Sequence, residues 1–282
     1  MAHIVVGVDG SRGADRALRW AVHEAALHDA SIEVLHVFVR HPYSAMFGTT
    51  DRDLAQHRLD EIIERHRAVL DPVDWSGSLV EASGATIALL DAAHQADLVV
   101  VGSRGTEGFE RLSIGSTGYR TAAHATCPVA VVPERAGHLD GRRSVVVGID
   151  DSEAGRRALR WAAGEAARRD GDLTVVHAYL LPVDMSAYAI INQTLHDRTR
   201  TEAHERAESV VDDALAAVDV PDGVKVQRVV ELGAAAGVLL DHQDDRLLVV
   251  GTRGQNALGR ALFGSVSQQV LHHAAGPVVV VP

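Results

Sequence analysis

Two segments of the chain carry glycine, hydroxyl and arginine residues at matched spacing. The first reads Gly102-Ser103-Arg104-Gly105, then nine residues, then Gly115-Ser116-Thr117; the second reads Gly251-Thr252-Arg253-Gly254, nine residues, then Gly264-Ser265-Val266-Ser267. Gly102 and Gly105, like Gly251 and Gly254, let a backbone turn tightly and come close to a ligand. Gly115 and Gly264 stand where a helix begins. Unpaired amide N–H groups and the Ser116 or Ser265 hydroxyl would face outward there, and such an end favours phosphate. Arg104 and Arg253 either add positive charge nearby or remain solvated surface side chains. For one frame alone, chain turning and helix capping explain the residues as well as a ligand does. The same spacing kept twice, through inserts as unlike as "TEGFERLSI" and "QNALGRALF", points to a ligand.

The elements that must position these frames are themselves written twice. "VVGVDGS" at Val5 to Ser11 returns as "VVGIDDS" at Val146 to Ser152, and "RALRWA" at Arg16 to Ala21 returns unchanged at Arg157 to Ala162. "LVVVGSRG" at Leu98 returns as "LLVVGTRG" at Leu247, and "CPVAVVP" at Cys127 as "GPVVVVP" at Gly276. This is a duplicated domain, with a period too long for a solenoid. The expected division is a first repeat over 1–136, a linker over 137–143 rich in Gly and charge, and a second repeat over 144–282.

Within each repeat, strand and helix patterns alternate. Strands are expected at His3 to Val8, Ile32 to Val39, Ser78 to Glu81, Leu98 to Val101 and Val129 to Val132, and in the second copy near Ser144 to Ile149, Leu173 to Tyr179, Val224 to Glu231, Leu247 to Val250 and Pro277 to Val281. Ser11 is a natural cap for the helix that follows it, whose apolar residues Ala14, Leu18, Ala21, Val22 and Ala25 fall at helical spacing. The alternation implies two doubly wound α/β domains with parallel sheets and right-handed crossovers. If strand order reverses between the first and fourth strands, Asp9 and Gly102 meet at the switch-point crevice, as Asp150 and Gly251 do in the second copy.

Composition narrows the chemistry. The chain of 282 residues carries a formal net charge of −11 and no run of Lys or Arg longer than two, which disfavours nucleic acid as a partner. No apolar segment approaches the roughly 20 residues of a membrane span, and the first residues lack the basic flank of a signal peptide. Cys127, the single cysteine, fits a reducing, cytoplasmic setting and reads as a small core residue. The single lysine, Lys225, lies outside both glycine frames, so a P-loop is absent; the G-x-G-x-x-G pattern of a dinucleotide site is also absent after the first strand. The 16 histidines are scattered, without ligand spacing, so no metal site is expected. His36 and His177 recur at the end of the second strand, where packing is the simpler role. No nucleophile stands beside a base, so catalytic residues are not assigned.

The spacing Gly, two residues, Gly, nine residues, Gly-Ser resembles the ATP-binding signature of the universal stress protein family, as do the "VGVDGS" opening and the "CPVAVVP" ending. The resemblance covers both repeats. It implies two five-stranded parallel sheets of order 3-2-1-4-5 related by a pseudo-two-fold axis, a homodimer, and ATP, with Mg²⁺ as a candidate companion, in the crevice of each repeat. It further implies that Asp9 and Asp150 lie close to the nucleotide and that Val37 and Ala178 lie against the adenine. The frames, through Ser116 and Ser265, would hold ribose and phosphates.

Two departures stand out. Asp151 replaces Gly10, adding a carboxylate beside the expected phosphates. Gly118 stands where Ser267 offers a hydroxyl. The reading is a nucleotide-dependent regulatory protein in stress response or growth control. The alternatives are a slow ATPase or autophosphorylating enzyme using Asp9 or Asp150, and a nucleotide-free interaction module. The valine-rich last strand of each repeat is expected at a sheet edge, where the repeats would pair.

Overall fold

The computed structural model describes residues 1–39, 51–105, 114–134, 143–181, 193–252, 254 and 263–282. The chain divides into two compact units: Met1–Gly141 with Ala274–Val280 and Pro282, and Arg142–His273 with Val281. The first contains β1 (Ala2–Val8), α1 (Arg12–His28), β2 (Ala30–Phe38), α2 (Asp51–Leu70), β3 (Trp75–Glu81), α3 (Ala85–Ala92), β4 (Leu98–Gly102), α4 (Ser116–His124) and β5 (Val129–Val132). The second contains β6 (Val145–Gly148), α5 (Glu153–Arg168), β7 (Leu173–Tyr179), α6 (Gln193–Ala216), β8 (Val226–Leu232), α7 (Ala235–Gln243), β9 (Leu247–Gly251) and α8 (Ser265–His273). The last strand, β10 (Val278–Val281), falls almost wholly in the first unit.

Strand order in the first unit is β3-β2-β1-β4-β5, the expected 3-2-1-4-5, with every one of these neighbours parallel. In the second unit β8-β7-β6-β9 repeats the 3-2-1-4 portion, again all parallel. Within the first unit β10 runs antiparallel to β5, with Val278 opposite Val131 and Val280 opposite Val129. The all-valine strand therefore covers what would otherwise be an exposed apolar edge.

Burial explains why the central strands read as unbroken apolar runs. Ile4, Val5 and Val6 of β1 are no more than 1% exposed, as are Val145, Val146 and Val147 of β6. Such strands lie between helices on both faces, so alternation has no solvent side to mark. Helix α1 lays Ala14, Ala17, Leu18, Ala21 and Ala25 against the sheet, and small alanines let helix and strand come close. Ser11 caps it as expected, its hydroxyl accepting the Ala14 N–H at 3.2 Å. At the other end Asp29 takes a left-handed conformation (φ 48°), and its N–H donates to Ala25 O.

Cys127 is buried, and burial pushes its thiol up to about 11. A thiol held neutral there is a core residue and not a nucleophile. His36 and His66 are buried and donate from Nδ1 to the Val8 and Ile62 carbonyls, at 2.7 and 2.9 Å. Trp20 of α1 is buried, whereas its counterpart Trp161 in α5 is only partly covered.

One side chain works against the core. Thr121 in α4 is 0% exposed, and its hydroxyl has no hydrogen-bond partner among the described residues. Counting from the Gly-Ser that opens each helix, the same position in α8 is Val270, also 0% exposed. Valine matches threonine in shape and has no hydroxyl to desolvate. Thr121→Val should therefore stabilise the protein by about 1 kcal/mol, seen as a higher urea midpoint; a lower midpoint would contradict this account of α4.

Candidate functional site

Strand order reverses at β1, which lies between β2 and β4, and at β6, which lies between β7 and β9; such a reversal opens a crevice at the carboxyl ends of β1 and β4, and of β6 and β9. A cavity of about 480 Å³ occupies the first crevice, and one of about 470 Å³ the second. Both fall in the range of small-molecule sites.

The first cavity is built where two backbones meet. A side chain carbon on Gly102 would lie 2.5 Å from the Gly13 carbonyl carbon, and one on Gly13 would lie 2.4 Å from Arg104 O. Only hydrogen fits at either contact. The Ser11 hydroxyl, besides capping α1, donates to Arg104 O at 3.2 Å. Asp9 closes the same knot, its Oδ1 accepting the Ser11 N–H at 2.9 Å. Its Oδ2 lies so near Gly105 that a Cβ there would be 2.5 Å away. The far end of the nine-residue insert is tied back, because Gly115 N donates to Ser103 O at 2.6 Å.

The second cavity repeats the plan. Asp150 Oδ1 accepts the Ser152 N–H at 3.2 Å and also pairs with the Ser152 hydroxyl, which caps α5 through Gly155 N at 3.0 Å. A Cβ on Gly254 would meet Asp150 Oδ2 at 2.6 Å, and Gly264 N donates to Thr252 O at 2.9 Å.

Every expected site residue of the first repeat lines the first cavity: Asp9 and Val37, then Gly102, Arg104 and Gly105, then Gly115, Ser116 and Thr117. Asp150, Ala178, Gly251 and Gly254 line the second, with Gly264, Ser265, Val266 and Ser267. Arg253 lies outside the described residues. Helix α4 begins at Gly115 with no side-chain cap and no acidic residue in its first turn. Its first amide N–H groups and the positive end of its dipole are thus presented at the cavity.

The apolar floor was not legible in advance. Leu35, Leu89 and Ile114 line the first cavity, and Val176, Leu239 and Phe263 the second. Gly7 and Gly148 make room for it: a Cβ there would stand 3.1 Å from Leu89 and 2.7 Å from Leu239. A glycine inside a strand is the signal that could have found these leucines. Gly13 was missed as well, although a glycine in the first turn of a helix forgoes about 1 kcal/mol against alanine and so implies close contact.

Both sequence departures have a structural outcome. Gly10 turns with φ +82°, while Asp151 is not among the positive-φ residues. The Asp151 carboxylate lies 3.3 Å from Arg156 Nη1 and is absent from the described lining of the second cavity. The added carboxylate is therefore held in a surface ion pair and does not line the cavity. The Ser267 hydroxyl is buried and donates to Gly251 O at 2.6 Å, so it ties α8 to β9. Gly118 leaves the matching Gly102 carbonyl without that tie, a Cβ at Gly118 lying 3.4 Å from it. His177 lines the second cavity with Nδ1 donating to Ile149 O at 2.9 Å, whereas His36 is sealed in the core.

The contacts rank the glycines. Gly102→Ala and Gly13→Ala drive a methyl into backbone and should each destabilise the first unit by about 1–3 kcal/mol. Gly105→Ala meets only the end of the Asp9 side chain and should change stability by less than about 1 kcal/mol. Urea unfolding of the three variants checks the order; equal losses would contradict the backbone-to-backbone contact.

Comparison with known proteins agrees with this construction. The sequence model of the universal stress protein family matches residues 1–133 and again 141–282. A universal stress protein of Mycolicibacterium smegmatis is 34% identical over 295 residues, covering 99% of this chain and 96% of that protein. One from Mycobacterium tuberculosis is 29% identical over 291 residues, covering 98% and 95%. The crystal structure of a universal stress protein from Archaeoglobus fulgidus has the same fold, with a TM-score of 0.70 at 16% identity over 99% of this chain and 97% of that one. With the family matched twice over nearly its whole length, the chain belongs to the universal stress protein family, in tandem form.

Proposed function

We propose that the protein binds one adenine nucleotide in each cavity, ATP being the ligand that both ends of the cavity suit, and acts as a nucleotide-dependent regulator in stress response or growth control. The observation that carries the reading is the pairing, inside one crevice, of an apolar slot with a helix start that lacks a side-chain cap. Leu35, Val37 and Leu89 offer an aromatic base a dry wall in the first cavity, as Val176, Ala178 and Leu239 do in the second. The first turns of α4 and α8 offer amide donors and the Ser116 and Ser265 hydroxyls to anionic oxygens. Gly105 and Gly254, each pressed by an aspartate, leave no bulk between loop and ligand.

Asp9 and Asp150 contribute one carboxylate to each cavity. That suits Mg²⁺ carried in on the phosphates, because this ion keeps several waters and takes few protein oxygens. Among the described lining residues no nucleophile with an adjacent base supports turnover, so regulation is favoured over catalysis. A homodimer, implied by the family resemblance, and a cytoplasmic setting, which the single cysteine fits, complete the reading; no described helix is long and apolar enough to cross a membrane.

The test is the small-molecule content of freshly purified protein, released by denaturation and quantified by mass spectrometry. Close to two adenine nucleotides per chain are expected, falling at least about tenfold in the Gly105→Ala, Gly254→Ala double variant. Protein that carries no nucleotide, and takes up none from added Mg-ATP, would overturn the reading while leaving the fold and the family in place.

A further inference from the structure

Arg104 is the one cationic side chain among the described residues lining the first cavity. Its backbone is fixed, since its carbonyl accepts from Ser11 Oγ and crowds Gly13. Its guanidinium is not fixed in the same way. The side chain is 27% exposed, yet its Nε is buried without a hydrogen-bond partner among the described residues. Five N–H donors on one planar group make a buried orphan unusual. The described ionic neighbour is Glu134, which follows β5 after Pro133; its Oε2 lies 3.9 Å from Arg104 Nη1. That distance gives charge attraction but no hydrogen bond. Glu134 is not among the residues lining the cavity. It offsets the charge of Arg104 without occupying the place of a ligand.

We propose that Glu134 determines the charge preference of the first site by competing with the ligand for Arg104; this rests on the nucleotide reading above. A phosphate oxygen that draws the guanidinium inward takes it from the carboxylate, and the loss of that attraction opposes the gain. The opposition grows with ligand charge, so Glu134 compresses the difference between a neutral nucleoside and its triphosphate. Removing the carboxylate while keeping the shape should widen it. Because the pair is near the surface, added salt should shrink the effect.

The experiment is calorimetric titration of the full chain with adenosine, AMP and ATP, in the unmodified protein and in Glu134→Gln, Arg104→Gln and the double variant. Neither residue lines the second cavity, which serves as the reference within each titration. Glu134→Gln should tighten ATP at one site by about three- to tenfold at low salt, tighten AMP by less, and leave adenosine unchanged. In the Arg104→Gln background the same change should shift ATP less than about twofold, since the competition then has no object. Equal shifts for adenosine and ATP, no shift for ATP, or an undiminished shift without Arg104 would overturn the proposal while leaving nucleotide binding intact. Failure of all three ligands to bind the unmodified protein would overturn the nucleotide reading, and the role of Glu134 with it.

Discussion

The site depends on one steric constraint, the contact between the first turn of α1 and the glycine loop that leaves β4. At Gly102 and Gly13 the two backbones approach so closely that a single added carbon would overlap main-chain atoms. That approach brings Asp9 and Gly105 into contact and aims the loop at the crevice. The hydroxyl of Ser11 holds both partners, capping the helix and bonding the loop. The second unit meets the same requirement less tightly, with a Cβ on Gly251 standing 3.0 Å from Ala154. The residue at the position of Gly13 is there an alanine, and the matching contact at Gly102 is the shorter 2.5 Å.

The two cavities are therefore alike in plan and unlike in wall. Val37 in the first becomes Ala178 in the second, and Leu35 becomes Val176. His177 lines the second cavity, whereas His36 is buried and absent from the lining of the first. At the helix end the exchange runs the other way: Ser267 binds α8 to the β9 carbonyl, and Gly118 does not. Nearly equal volumes thus conceal unequal walls.

Much of this was legible in the residues, for reasons that differ by element. The central strands were readable because burial on both faces leaves pure apolar runs such as Val145 to Val147. Ser11 announced its cap, and Val129 to Val132 were placed to the residue. The start of β3 was less legible: the strand begins at Trp75, three residues before the expected Ser78, because Ser76 and Gly77 carry no apolar signal, although they pair with β2 and Gly77 faces Ile63 of α2. The frame residues of the site followed from their duplicated spacing. The apolar floor did not, since nothing in a short helix such as Ala85–Ala92 says which leucine turns to the crevice. That choice is made by a distant glycine in β1, and only the fold brings the two together. The fate of Asp151 was equally hidden, because its partner Arg156 lies on the next helix turn and looks like an ordinary surface residue.

The central claim is that the starts of α4 and α8, with their glycine loops, are what a nucleotide fills. Hydrogen exchange of backbone amides, followed by mass spectrometry with and without Mg-ATP, addresses it directly. Amides with no helical acceptor exchange freely until a ligand takes them. The account predicts slower exchange on adding Mg-ATP at Arg104 and Gly105, from Ser116 to Gly118 and from Ser265 to Ser267, with little change in β3 and β8. Unchanged exchange in all three segments at saturating Mg-ATP, or slowing confined to the β3 and β8 edges, would contradict it.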